Sequence, residues 1–199
     1  MKNEIRQPRQ GRSIETKNKI IEASYRLFSE VGYYGTNTAE IAKEAGVSTG
    51  IVYGYFKDKR DILIDVLAKY IKKVFEPFLT MVEKLSAPID FSVFIPKILE
   101  QTIKTHKNNG KMHEALHSLR FMDSEVNSQF IKLEDDITLK IASKIKALGM
   151  DVDNPIEKIH FAMDIVQSFS HEFVFDKHDY IDYTVMKKKV IETLIGLFD

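Results

Sequence analysis

Residues 37–59 read NTAEIAKEAGVSTGIVYGYFKDK, and the fold is decided in this stretch. Asn37 and Glu40 stand at capping-box spacing. The Asn37 side chain accepts from a first-turn backbone N–H, and the Glu40 carboxylate reaches back to the Asn37 N–H. The helix they open is short, because Gly46 follows and is free to take the left-handed turn conformation. Ser48 caps a second helix running to about Phe56. Ile41, Ala45, Val47 and Val52 face inward, and Ala42 is small enough to let the two helices approach. Two capped helices joined by Ala45-Gly46-Val47-Ser48 predict a helix-turn-helix. Its second helix projects Thr49, Gly50, Tyr53, Gly54 and Tyr55, with Phe56 in the core and the Tyr53 hydroxyl at the surface.

Outward from this unit the periodicity stays helical, with apolar residues three and four apart and no sustained apolar/polar alternation. Upstream, residues 14–31 carry Ile20, Leu27, Phe28 and Val31 on one stripe, with Ser13 as N-cap and Gly32 as stop. Downstream, a long segment from Asp61 to Leu85 contains Pro77, which predicts a kink or break. The next helix, from near Asp90, carries Pro96 early and stops at Asn108-Asn109-Gly110. A shorter helix covers Met112 to Phe121, and Asp123 caps a long one closed by Gly149. Asn154-Pro155 reads as N-cap and first turn of a helix to about Phe175. The last helix begins near Tyr183. The expectation is an all-α chain of nine helices: a three-helix N-terminal domain over 13–60 and a six-helix body over 61–199, preceded by a basic flexible arm over 1–12.

Composition narrows the function classes. The 199 residues are 44% hydrophobic with 13 Phe, enough apolar surface for a packed core rather than a disordered chain. No apolar run approaches the ~18 residues of a membrane span, and the polar, basic start is unlike a secretory signal. With no Cys there is neither a disulfide framework nor a thiolate metal site. A cytoplasmic protein is expected. The formal charge is zero from 29 basic and 29 acidic groups, yet residues 1–60 carry a net +4 and the remainder −4. A basic head on a mildly acidic body is the pattern of a polyanion-binding unit joined to a different kind of domain.

The residues themselves resemble a family. Ile20 through Tyr33, then Thr36, Thr38, Ile41 through Ser48, Gly50 through Lys59 and Leu63 look like the N-terminal DNA-binding domain of the tetracycline-repressor (TetR) family. The resemblance covers about fifty residues at the expected spacing. It implies a homodimeric transcriptional regulator, usually a repressor released by a small molecule. By position it assigns phosphate contacts to Thr38, Ser48, Tyr53 and Lys59, and the major-groove face to Thr49, Gly50, Gly54 and Tyr55. Hydroxyls, a helix-start N–H and a lysine are groups that position a duplex through its phosphates. Base readout is sparser, and Gly54 departs from the bulkier residue often found there at a helix-propensity cost of ~1 kcal/mol. Arg6, Arg9 and Arg12 are candidates for an arm adding phosphate or minor-groove contacts; the competing reading is a solvated tail.

In the body, the last two helices are apolar on more than one side, which suggests a subunit interface. Ile159, Met163, Val166, Phe173, Val190 and Leu194 are its candidates, and the family resemblance implies the same four-helix dimer contact. Two-fold symmetry then requires a near-palindromic double-stranded DNA operator, with recognition helices roughly 34–36 Å apart. By analogy an effector site lies among the preceding helices, with Phe78, Met81, Phe94, Leu99, Met112, Leu116, Phe121, Phe130 and Phe169 as candidate lining. These favour a small hydrophobic or amphipathic effector over a sugar or nucleotide. Such an effector selects a conformer in which the 61–85 helix holds the two heads at the wrong separation. His113 and His117 are four apart on one helical face and His160 and His171 lie on another helix, a set that could bind a metal, but without nearby Cys no metal or cofactor is expected. Nor is an enzyme expected, since there is no Ser/His/Asp arrangement or phosphate-cradling glycine loop. A helical small-molecule-binding protein or enzyme that binds no DNA, and an activator on the same fold, remain the alternatives.

Overall fold

The computed structural model describes residues 11–198, and among them are nine α-helices and no strand. They are α1 (Gly11–Glu30), α2 (Thr38–Glu44), α3 (Thr49–Tyr55), α4 (Lys59–Glu83), α5 (Phe91–Asn108), α6 (Gly110–Arg120), α7 (Ser124–Ala147), α8 (Pro155–Phe175) and α9 (Tyr183–Gly196). By packing, the described residues form two units. One runs to Lys73 and includes Asn109–Phe130; the other joins Val74–Asn108 with the residues from Ile131 onward. The boundaries fall inside α4 and α7.

In the first unit α1 packs on α2 and on α6, and α2 packs on α3. Its core is the inward stripe of each helix: Ile20, Ala23 and Phe28 from α1, Ile41 from α2, Val52 from α3, and Ile62, Leu63, Val66 and Leu67 from α4, all buried. Phe56 lies beside them, with Met112 and Leu116 from α6. The ends are tied by polar groups. Arg60 donates to both Asp123 oxygens, one bond at 2.8 Å, and to Glu125 at 3.2 Å. Asp123 Oδ1 also accepts the N–H groups of Glu125 and Val126, so one carboxylate caps α7 and holds the start of α4. Lys111, at the start of α6, donates to the Glu30 carbonyl at the end of α1.

The second unit is built on α5 packed against α8, with α9 against both. Ile95, Leu99, Ile103, Val166, Phe169 and Leu194 form its buried centre. The turn between α8 and α9 is closed by Tyr183, whose hydroxyl donates to Glu172 at 2.7 Å and accepts from the His178 N–H at 3.0 Å.

Several local expectations are corrected. Ser13 is not an N-cap: α1 already begins at Gly11, and the Ser13 hydroxyl turns sideways to Tyr55. No break occurs at Pro77. The proline removes one N–H within a 25-residue helix, and the turns beyond it are anchored through Glu83, which takes Lys140 at 2.6 Å and Lys144 at its carbonyl. Asn154 precedes Pro155 in a left-handed conformation (φ 47°) and makes no side-chain cap; its amide donates to Asp153 instead. Elsewhere the punctuation acts as read. Gly32, Gly46 and Gly149 all take positive φ at helix ends, and Asp90 and Asp123 accept first-turn N–H groups.

Candidate nucleic-acid interface

The helix-turn-helix is fixed by short-range polar contacts. Asn37 Oδ1 accepts the Ala39 and Glu40 N–H groups at 3.0 Å each, and Glu40 accepts the Asn37 N–H at 2.9 Å. At the turn Gly46 holds φ 68°, and the Val47 N–H returns to the Ala42 carbonyl at 3.0 Å. Ser48 then caps α3 through the Ile51 N–H at 3.4 Å, a long and correspondingly weak bond. The α3–α4 connection is a reciprocal pair: Asp58 accepts the Asp61 N–H at 2.8 Å and Asp61 accepts the Lys57 N–H at 3.0 Å.

These restraints fix which face of α3 is free. Val52, Tyr55 and the capping Phe56 are buried, a spacing of three and four that defines the inner stripe. Ser48, Thr49, Gly50, Ile51 and Tyr53 are exposed and Gly54 is half-exposed. The structure thus brings Thr49, Gly50, Tyr53 and Gly54 together on one surface, beside Ser48, with Thr38 half-buried at the start of α2.

Tyr55 is not on that surface. It is buried, and its hydroxyl is hydrogen-bonded to Ser13 Oγ at 3.0 Å, so it packs α3 against the start of α1 rather than facing outward. The same 52-55-56 spacing, read in the sequence, places it inside. Lys59 is half-buried as well. Its ammonium donates to the carbonyls of Tyr33 at 2.7 Å and Thr36 at 2.8 Å and lies 4.3 Å from the Tyr33 ring centre. Burial lowers its pKa, with Glu40 acting in the opposite sense. Lys59 therefore ties the α1–α2 turn to the start of α4, with two of its three donors taken by these carbonyls. Ile51 was not among the expected site residues, yet its side chain is 42% exposed on α3. Arg12 lies exposed in the first turn of α1, whereas Arg6 and Arg9 fall outside the described residues.

The expected effector lining is divided between the units. Leu99 and Phe169 meet in the core of the second, where Phe94, Phe78 and Met81 are half-buried. Met112 and Leu116 are buried in the first, where Phe130 is half-buried below the Arg120 guanidinium. Phe121, expected to line a pocket, is 78% exposed, because it sits just past the end of α6 where the chain turns outward. Of the expected interface residues, Ile159, Val166 and Leu194 are buried within their own protomer, with Met163, Phe173 and Val190 half-buried. The exposed apolar groups of α8 and α9 are instead Ile156, Phe161, Phe175 and Val185.

An all-helical chain whose head is a capped helix-turn-helix with a bare outer recognition face belongs to the helix-turn-helix class of proteins. Residues 20–66 match the family model described as bacterial regulatory proteins, tetR family. That stretch of the chain is a tetR-family domain, and the match ends at residue 66. The chain is 42% identical over 76 residues to the transcriptional regulator HbdR of Aromatoleum sp., a match covering 38% of this chain and 33% of that one. The chain thus spans about a third of the length of that relative. It is also 26% identical over 187 residues to the fatty acid metabolism regulator protein of Bacillus subtilis, covering 89% of this chain and 93% of that one. A TetR-family transcriptional regulator structure from Mesorhizobium loti superposes with a TM-score of 0.72 at 17% identity, over 94% of this chain and 97% of that one. Among the described residues no helix is long and apolar enough to cross a membrane.

Proposed function

We propose that this protein is a cytoplasmic, ligand-responsive transcriptional regulator that binds a near-palindromic duplex operator as a homodimer and is released by a hydrophobic or amphipathic small molecule. The observation that carries the reading is the outer face of α3. The helix is capped at both ends by Ser48 and Phe56, and Thr49, Gly50 and Tyr53 are exposed on it with Gly54 half-exposed. Ser48, Thr38 and Tyr53 supply hydroxyls for phosphate oxygens, and Arg12 adds an exposed guanidinium one residue before the Ser13–Tyr55 contact. Lys59 contributes one remaining donor at most, and Tyr55 contributes none.

Dimerisation through α8 and α9 is supported by the exposed Ile156, Phe161 and Val185, apolar side chains that a partner subunit would remove from water. An acyl-type amphiphile is the favoured effector class, since the similarity to the fatty acid metabolism regulator extends over 89% of the chain. Selection of bound duplexes from a random pool tests the reading. Enrichment of two inverted half-sites about one helical turn apart is the expected result. A pool that remains random after repeated rounds contradicts it. Repressor action is part of the proposal: fusing the selected operator upstream of a reporter should lower its output when the protein is present, and raised output would make it an activator.

A further inference from the structure

We infer that Ile51 reads the 5-methyl group of a thymine in each half-site of the bound duplex, which makes it a specificity-determining residue; this rests on the DNA-binding reading above. Successive helical residues are about 100° apart. With Val52, Tyr55 and Phe56 marking the inner side of α3, Gly50 and Gly54 fall on the outermost line. Thr49 and Tyr53 lie on one flank of that line and Ile51 on the other. Seven residues make up α3, and none is Arg, Lys, Asn, Gln, Asp or Glu. It therefore offers no bidentate partner to guanine or adenine and no carboxylate to cytosine, the pairings that carry most direct readout. With the Tyr53 hydroxyl assigned to phosphate and Tyr55 buried, the side chains of α3 left for base edges are Thr49 and the aliphatic Ile51.

Ile51 is 42% exposed on α3, while Val52 and Phe56 fill the core beneath the helix. The feature of the major groove that rewards an apolar side chain is the thymine methyl. The neighbouring geometry favours that contact. Gly54, three residues on and on the same side, has no side chain to stand between Ile51 and the groove, and a Cβ built there meets nothing within 4 Å. A Cβ at Gly50 meets only the Ser48 hydroxyl at 3.9 Å. Two bare positions on the outer line let the helix sit deeply enough for a flank residue to reach a base edge.

The test uses the full chain and the duplex selected for it, with each thymine replaced singly by deoxyuridine. One thymine per half-site should show a loss of about four-fold in affinity, the value of one buried methyl group. Replacing both copies should cost roughly fifteen-fold. Ile51→Ala should bind the thymine duplex more weakly by a comparable factor and be indifferent to deoxyuridine at that one position. Its dependence on salt should be unchanged, because no phosphate contact is removed. Ile51 is exposed, so the variant keeps its fold, and an unaltered thermal transition checks this. If every deoxyuridine penalty persists in Ile51→Ala, the inference is overturned while DNA binding stands. If no duplex is ever selected, the functional reading itself fails and this inference with it.

Discussion

Gly50 and Gly54 set stability against recognition at single positions. Each lies inside a helix without a positive φ, and neither has a neighbour close enough to demand the absence of a side chain. Glycine in a helix interior lowers stability by roughly 0.5–1 kcal/mol relative to alanine, so the fold alone disfavours both. Gly54→Ala should therefore raise the thermal transition by an amount matching that range, while weakening duplex binding several-fold in a fluorescence-anisotropy titration. Raised stability with unaltered binding would show that the bare line has no part in recognition. Tyr55 is the opposite case. Its hydroxyl serves the fold through Ser13, so Tyr55→Phe should lower stability by about 1 kcal/mol in urea titration. The sequence preference of the selected duplex should not change, and a shift in preference would return Tyr55 to the recognition surface.

At the scale of the element, the start of α7 has a pH dependence with a defined sign. The Arg60 guanidinium beside Asp123, together with the N–H groups it caps, pulls that carboxyl down to about 2. An unfolded aspartate protonates near 3.9, so the stabilisation is complete above about pH 5 and is lost as the pH falls through 4 toward 2. Asp123→Asn keeps the capping oxygen but removes the charge. Melting of this variant should be less stable than the parent at pH 7 and should converge with it near pH 2; parallel curves would mean the pair contributes nothing. The helices themselves were largely legible in the sequence, because their ends are written in short-range chemistry: Asn37 with Glu40, Ser48, Asp123, Gly46 and Gly149. What was not legible depended on partners far along the chain. Ser13 has the right identity for a cap, but its hydroxyl finds Tyr55, 42 residues away. Lys59 has the right position for a phosphate contact, but two carbonyls of the α1–α2 turn take its donors. Asn154 departs for a local reason, its left-handed backbone pointing the amide at Asp153. The inner stripe of α3 was present in the sequence as Val52, Tyr55 and Phe56, and counting that spacing places Tyr55 correctly.

For the whole molecule, the account requires two copies acting on one duplex. Phe161 is 53% exposed on α8, on the side of the helix away from the buried Ile159, so replacing it with glutamate should spare the protomer and disfavour the pair. Phe161→Glu is expected to sediment as a monomer with a normal helical spectrum and to lose at least ten-fold in operator affinity; an unchanged dimer would move the interface elsewhere. The buried Val166 and Leu194 make poor probes, since changing them would damage the core of the second unit before any contact between subunits. An effector that releases the duplex must itself bind less tightly when the duplex is present, by the same factor. The most direct test of the central claim is the affinity of the full chain for its selected duplex as a function of salt. If paired heads grip phosphates, with Ser48, Thr38 and Tyr53 placing the duplex and the cations at the start of α1 and at Lys59 displacing its counterions, binding should weaken by at least about a hundred-fold between 50 and 200 mM salt. Binding that is absent at the lowest salt, or present but indifferent to it, would contradict the account.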